Sequence, residues 1–118
     1  MSRKYSMKKN LRIFLIHILD SINLIEDYTK DKTKEEFEDS LSLQDMTIRR
    51  LEIIGEAIKN LPQEFKNNYN HIPWKKISGL RDKLIHEYFG VDIDLIWTII
   101  VRDLPELKQN IEKILEKL

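Results

Sequence analysis

The sequence predicts an all-α bundle, and three observations carry that reading. Apolar residues recur at three- and four-residue spacing along most of the chain. No stretch alternates as a half-buried strand would. Chain breakers are few, with three glycines and three prolines in 118 residues. A chain of this length is a single domain, 1–118, with room for a real core. The architecture expected is an up-and-down bundle of four to five helices.

The first helix follows from Leu11, Phe14, Leu15, Ile18, Ile22, Ile25 and Tyr28, which keep the helical period from about Lys8 to Tyr28. Residues 1–8 precede it as a flexible basic leader. Thr33-Lys34-Glu35-Glu36 has the form of a capping box, so a second helix starts there. Leu41, Ile48, Leu51, Ile54, Ile58 and Leu61 define a third helix, Leu41 to Asn60, stopped by Pro62. Gly55 within it costs about 1 kcal/mol of helix propensity relative to alanine, and a small residue there lets another helix approach closely. Pro62 to Tyr69 reads as a short helix, 67–71 as a polar loop, and Pro73 fits the first turn of the next helix. Asp92 or Asp94 caps a final region through Ile93, Ile96, Trp97, Ile100 and Leu104. Pro105 kinks or restarts it before Leu107, Ile111, Ile114 and Leu118.

Composition excludes several classes of function. Without cysteine there are no disulfides and no thiolate metal sites, and a reducing cytoplasm suits the chain. No apolar run approaches the roughly 18 residues of a membrane span, and the start has no secretion signal. Twenty basic and twenty acidic residues cancel, so bulk attraction to nucleic acid is excluded and any such partner must meet a local basic patch. Charged residues make up 34% of the chain, with lysine and glutamate dominant, a bias that also occurs in heat-adapted proteins. Arg3, Lys4, Lys8, Lys9 and Arg12 form one basic cluster; Lys75, Lys76, Arg81 and Lys83 form another.

The second cluster borders the stretch around which the chain is organised, residues 79–90. Ile77, Leu80, Leu84 and Tyr88 make one helical stripe, and Gly90 supplies the stop. At about 100° per residue, Arg81 and Tyr88 lie within roughly 20° of each other, whereas His86 sits about 140° from Arg81. One straight helix on one core cannot aim both at a small target. Either Arg81 lies in a distorted first turn, or a second copy of the chain closes over the face that carries His86. The second is favoured, because a self-complementary helix face is the usual material of a two-fold dimer. It gives a homodimer built around the segment from Trp74 to Phe89.

Acid-base work by histidine with arginine is the chemistry that remains. His17, His71 and His86 show no metal-ligand spacing, and the glycines cannot write a phosphate loop or a nucleophile elbow. Arg-x-x-x-x-His alone is a weak signal, since Arg12 and His17 repeat it in the first helix, where the histidine belongs beside the core stripe or in solvent. His71 reads as a surface residue. The intrinsic pKa of a histidine side chain lies near neutrality, so His86 can act as acid or base; Arg81 offers forked donors for a phosphate.

The wider context is more specific. Arg81-Asp82-Lys83-Leu84-Ile85-His86-Glu87-Tyr88 matches the Arg-x-x-x-x-His-x-Tyr signature of the HepT-like branch of the HEPN ribonuclease superfamily. Residues 49–57, 72–74, 79–81, 88–92 and 103–107 also resemble that family, in order. The resemblance implies a HEPN-type bundle that forms a homodimer, with both motif helices at one cleft. It also implies a metal-independent endoribonuclease acting on RNA (tRNA or mRNA), without cofactor. In that family setting it is the toxin of a type VII toxin-antitoxin module, its partner a minimal nucleotidyltransferase antitoxin of the MntA type. On this reading Arg81 and His86 are catalytic, Asp82 a supporting residue, and Tyr88 the acceptor of an inactivating AMP. Arg49, Glu52 and Glu56 match family positions and either line the cleft or brace the bundle. The alternative is a non-catalytic helical nucleotide- or substrate-binding subunit of a nucleotidyltransferase, in which Arg81 holds a phosphate and His86 packs.

Overall fold

A computed structural model describes residues 3–80, 83 and 92–118, with residues 3–9 described by backbone alone. Every regular element among them is helical: α1 (Arg3–Thr29), α2 (Lys34–Glu38), α3 (Leu41–Asn60), α4 (Gln63–Asn68), α5 (Trp74–Ser78), α6 (Ile93–Thr98), a π-helical turn (Ile99–Asp103) and α7 (Leu104–Lys117). The all-α class is as the sequence predicts. Dimerisation concerns a second copy, and the structure is of one chain.

α1 begins at Arg3 rather than Lys8, because nothing in that stretch stops a helix and arginine, lysine and methionine favour one. Its 27 residues account for about 40 Å at 1.5 Å per residue, most of the 51 Å long axis of the molecule. Leu15, Ile18, Ile22 and Ile25 are fully buried at the expected spacing. They pack mainly on α3 and also on α7. After Thr29 the chain reverses through Asp31 at φ 60°, a left-handed conformation that aspartate tolerates better than most residues.

The capping box is present: Glu36 N–H donates to Thr33 Oγ1 and Thr33 N–H to Glu36 Oε1, both at 3.1 Å. The Thr33 backbone donor is the main reason the Glu36 carboxyl is held below the usual range. Gln44, buried in α3, donates to the carbonyls of Phe37 and Glu38 at 3.0 and 2.9 Å, capping the end of α2 from a neighbouring helix. Ion pairs tie distant elements. Lys34 meets Asp94 on α6, and Lys108 on α7 meets Glu26 on α1 at 2.9 Å, so both ammonium groups hold their protons more firmly than a free lysine.

α3 has the predicted bounds, and Leu51, Ile54 and Ile58 are buried as expected. Leu41 is the exception at 76% exposure. It follows the N-cap Ser40, whose hydroxyl accepts from Leu43 N–H, and the first helical position points to solvent there. α4 runs from Gln63 to Asn68, within the short helix expected from Pro62 to Tyr69 and two residues into the stretch expected as loop. Phe65 packs against Tyr69 and Trp74, and Trp74 Nε1 donates to the Tyr69 carbonyl at 3.1 Å. Those contacts set the angle between two short helices that could not hold it alone.

Asp92, not Asp94, is the cap of α6, accepting from Leu95 N–H at 3.0 Å. Pro105 acts as expected, with a specific geometry. It has no N–H to continue an α-helical ladder, and the preceding turn widens so that Leu104 N–H reaches the Ile99 carbonyl. Beyond it Leu104, Leu107, Ile111 and Ile114 return to the core. Among the described residues no buried side-chain nitrogen or oxygen lacks a hydrogen-bond partner, and no helix is long and apolar enough to cross a membrane.

Candidate functional site

Arg81, Asp82, His86 and Tyr88 lie outside the described residues, as do Leu84 and the expected stop at Gly90. The structure fixes what leads into and out of their segment. Ile77 and Leu80 are both buried to 4% exposure, which anchors the approach on the predicted stripe. Lys83 N–H donates to the Gly79 carbonyl at 3.4 Å, and the Lys83 side chain is exposed. On the far side Asp92 opens α6.

The approach is braced by α3. A Cβ at Gly55 would stand 3.4 Å from the Ser78 carbonyl oxygen and 3.7 Å from its Cα. The expectation that a small residue here admits a neighbouring helix is met, and the neighbour is the C-terminus of α5. Ser78 is three residues before Arg81, so the Gly55 contact, together with the buried Leu80, is a fixed point from which the bundle can position the motif.

α3 also carries Arg49, Glu52 and Glu56, and they share a wall. A hollow of about 360 Å³ between α1 and α3 is lined by Phe14, His17, Arg49, Glu52, Glu56 and Asn60 among others. Arg49 reaches Glu52 at 3.6 Å, one helical turn on. His17, which the sequence pairs with Arg12, is exposed on α1 and lines this hollow, whereas Arg12 does not. No spacing rule could have joined His17 to Arg49, since they meet only through the packing of two helices. The guanidinium of this wall, Arg49, is already engaged by Glu52, so it is less available to a phosphate.

The basic approach is better suited. Lys75, Lys76 and Lys83 are all exposed around the entry to the motif. His71 is exposed beside Tyr69, in keeping with a surface role. Among the described residues no group of three or more histidine and carboxylate side chains is arranged to hold a metal ion.

Comparison with known proteins agrees with the motif. Residues 18–114 match the family described as "Ribonuclease HepT-like". A protein of Methanocaldococcus jannaschii named "Gamma-glutamylcyclotransferase and putative RNase" is 59% identical over 95% of this chain, which spans half of that protein's length. The "Putative RNase" of Caldanaerobacter subterraneus subsp. tengcongensis is 45% identical over 92% of this chain and 97% of its own. The "Probable ribonuclease HepT" of Thermococcus cleftensis is 44% identical over 92% of this chain and 98% of its own. No solved structure matches. With the matched region running from α1 through the Arg81 motif to α7, the chain belongs to the HepT-like ribonuclease family.

Proposed function

We propose that the chain is a metal-independent endoribonuclease that cleaves RNA through its own 2'-hydroxyl. The observation that carries this is Arg81-x-x-x-x-His86-x-Tyr88 within a chain of the HepT-like ribonuclease family. A base takes the proton of the 2'-hydroxyl, O2' bonds to phosphorus and the bond from phosphorus to O5' breaks. An acid then protonates the leaving O5', so the products are a 2',3'-cyclic phosphate and a 5'-hydroxyl. His86 can serve as base or acid near neutral pH. Arg81 clamps the phosphate and stabilises the charge that grows on it. Asp82 is placed in sequence to orient either. In a homodimer built around residues 74–89, two copies of His86 fill the two proton-transfer roles at one cleft.

Control acts on the same segment. Tyr88 accepts AMP from a partner nucleotidyltransferase: its oxygen attacks the α-phosphorus of ATP, pyrophosphate leaves, and the phenolic proton passes to a base of the partner. The attached phosphate then competes with RNA for Arg81. This makes the chain the toxin of a two-component module and the nucleotidyltransferase its antitoxin. The test is cleavage of total RNA in chelator by the wild type, Arg81→Ala and His86→Ala, with folding checked by circular dichroism. Activity in the wild type alone is expected. Cleavage that both variants retain and chelator abolishes would overturn the assignment.

A further inference from the structure

A second groove, of about 550 Å³, lies where the end of α3, α4 and α5 meet. Its cations are Lys66, Lys75 and Lys76, and its neutral polar groups include the amides of Gln63, Asn67 and Asn70. None of its described lining residues is acidic, in a chain whose acids and bases are equal in number. The local geometry explains the grouping. Gln63, Lys66 and Asn67 stand at i, i+3 and i+4 on α4, one face of a helix. Lys75 and Lys76 occupy the first turn of α5, set against α4 by the Phe65, Tyr69 and Trp74 contacts. Lys66 Nζ donates to the Ile58 carbonyl at 3.4 Å, and Gln63 Nε2 donates to Asn67 Oδ1 at 2.9 Å, so the polar side chains of α4 are held in place. At its far end the groove reaches Ser78, three residues before Arg81.

We propose that this groove binds the sugar-phosphate backbone of single-stranded RNA beside the bond to be cut, an inference that rests on RNA being the substrate. Three cations, with no carboxylate among the described lining residues, select a polyanion. The amides can donate to ribose oxygens and both donate and accept toward base edges, which a bare lysine patch cannot. The hollow beside α1 differs in kind, since its Arg49 is already engaged by Glu52.

The test measures binding apart from chemistry. A labelled 2'-O-methyl RNA 12-mer has no free nucleophile, so its affinity for the full-length protein can be followed from 50 to 200 mM salt by fluorescence anisotropy. Each phosphate held on a single strand contributes about 0.7 to the slope of log affinity against log salt. Replacing Lys66, Lys75 and Lys76 by glutamine should therefore lower that slope by about 2, and the wild type should lose roughly 20-fold more affinity across this range than the variant. Lys30, Lys32 and Lys113, all exposed and outside the groove, provide a control with the same change in charge. Photocrosslinking of a 4-thiouridine version to the wild type should mark residues 63–78, which reads the groove without any substitution. An equal loss in the control, an unchanged slope, or crosslinks confined to other peptides would overturn the groove. If the wild type cleaves RNA and the groove variant behaves as wild type, the nuclease reading stands and the groove falls. If RNA is bound here but never cut, the reverse holds.

Discussion

Gly55 is where the bundle and the motif can be separated experimentally. Alanine there places its Cβ 3.4 Å from the Ser78 carbonyl oxygen, an ordinary van der Waals contact that displaces nothing. Gly55→Ala should then gain the helix propensity that glycine forfeits, about 1 kcal/mol, and raise Tm by roughly 4 °C for a domain of this size. Valine is different. Its methyls extend about 1.5 Å beyond Cβ, toward backbone of α5 rather than a side chain that could swing aside. Gly55→Val should cost about 1–3 kcal/mol by overpacking. It should also depress RNA cleavage beyond the loss of folded protein, because a shift of about 1 Å in a positioned group can cost roughly 100-fold in rate. Thermal melts followed by circular dichroism, with cleavage measured well below Tm, give both numbers. A fall in Tm of several degrees for Gly55→Ala, or wild-type cleavage by Gly55→Val, would refute the view that this contact positions the motif.

Three further outcomes are expected. Light scattering at micromolar concentration should give the mass of a dimer, and charged substitutions beside His86 in the sequence should weaken it more than changes near Lys30; a monomer would end that proposal. Tyr88→Phe should cleave RNA normally yet escape neutralisation, and intact mass after incubation with the antitoxin, ATP and magnesium should show AMP on the wild type only. The Glu36 carboxyl is held below its ordinary range by the capping box, so its contribution is present above the ordinary glutamate pKa and is lost as pH falls through the lower folded value. The Tm gap between wild type and Glu36→Ala should therefore be widest at neutral pH and close in acid; a gap independent of pH would contradict it.

Much of the fold was legible because its signals are local. The Thr33 box, the Pro62 stop and the 41–60 helix each depend on residues within a turn or two of one another, and each stands where expected. Leu41 misled because periodicity counts a residue without knowing that the first position after the Ser40 cap faces solvent. Gln44 capping α2, and Leu104 reaching back to Ile99 through a widened turn, follow from packing and from the proline's missing donor, which composition does not encode. The site divides in the same way. The Arg81, His86 and Tyr88 motif is contiguous and readable, and the Lys75 and Lys76 cluster shows in the sequence. The addition of Lys66 and the α4 amides to that cluster, and of His17 to Arg49 and Glu52, exists only in three dimensions.

The central claim is that the 2'-hydroxyl of RNA is the nucleophile and that Arg81 and His86 drive its attack. A defined RNA oligonucleotide that the protein cuts, compared with the same strand carrying one 2'-deoxy sugar at the cut position, tests it in a single measurement. The account predicts a 2',3'-cyclic phosphate and a 5'-hydroxyl from the RNA and no cut at the deoxy position, by mass spectrometry of the products. Cleavage of the deoxy strand at the same bond, leaving a 5'-phosphate, would contradict it.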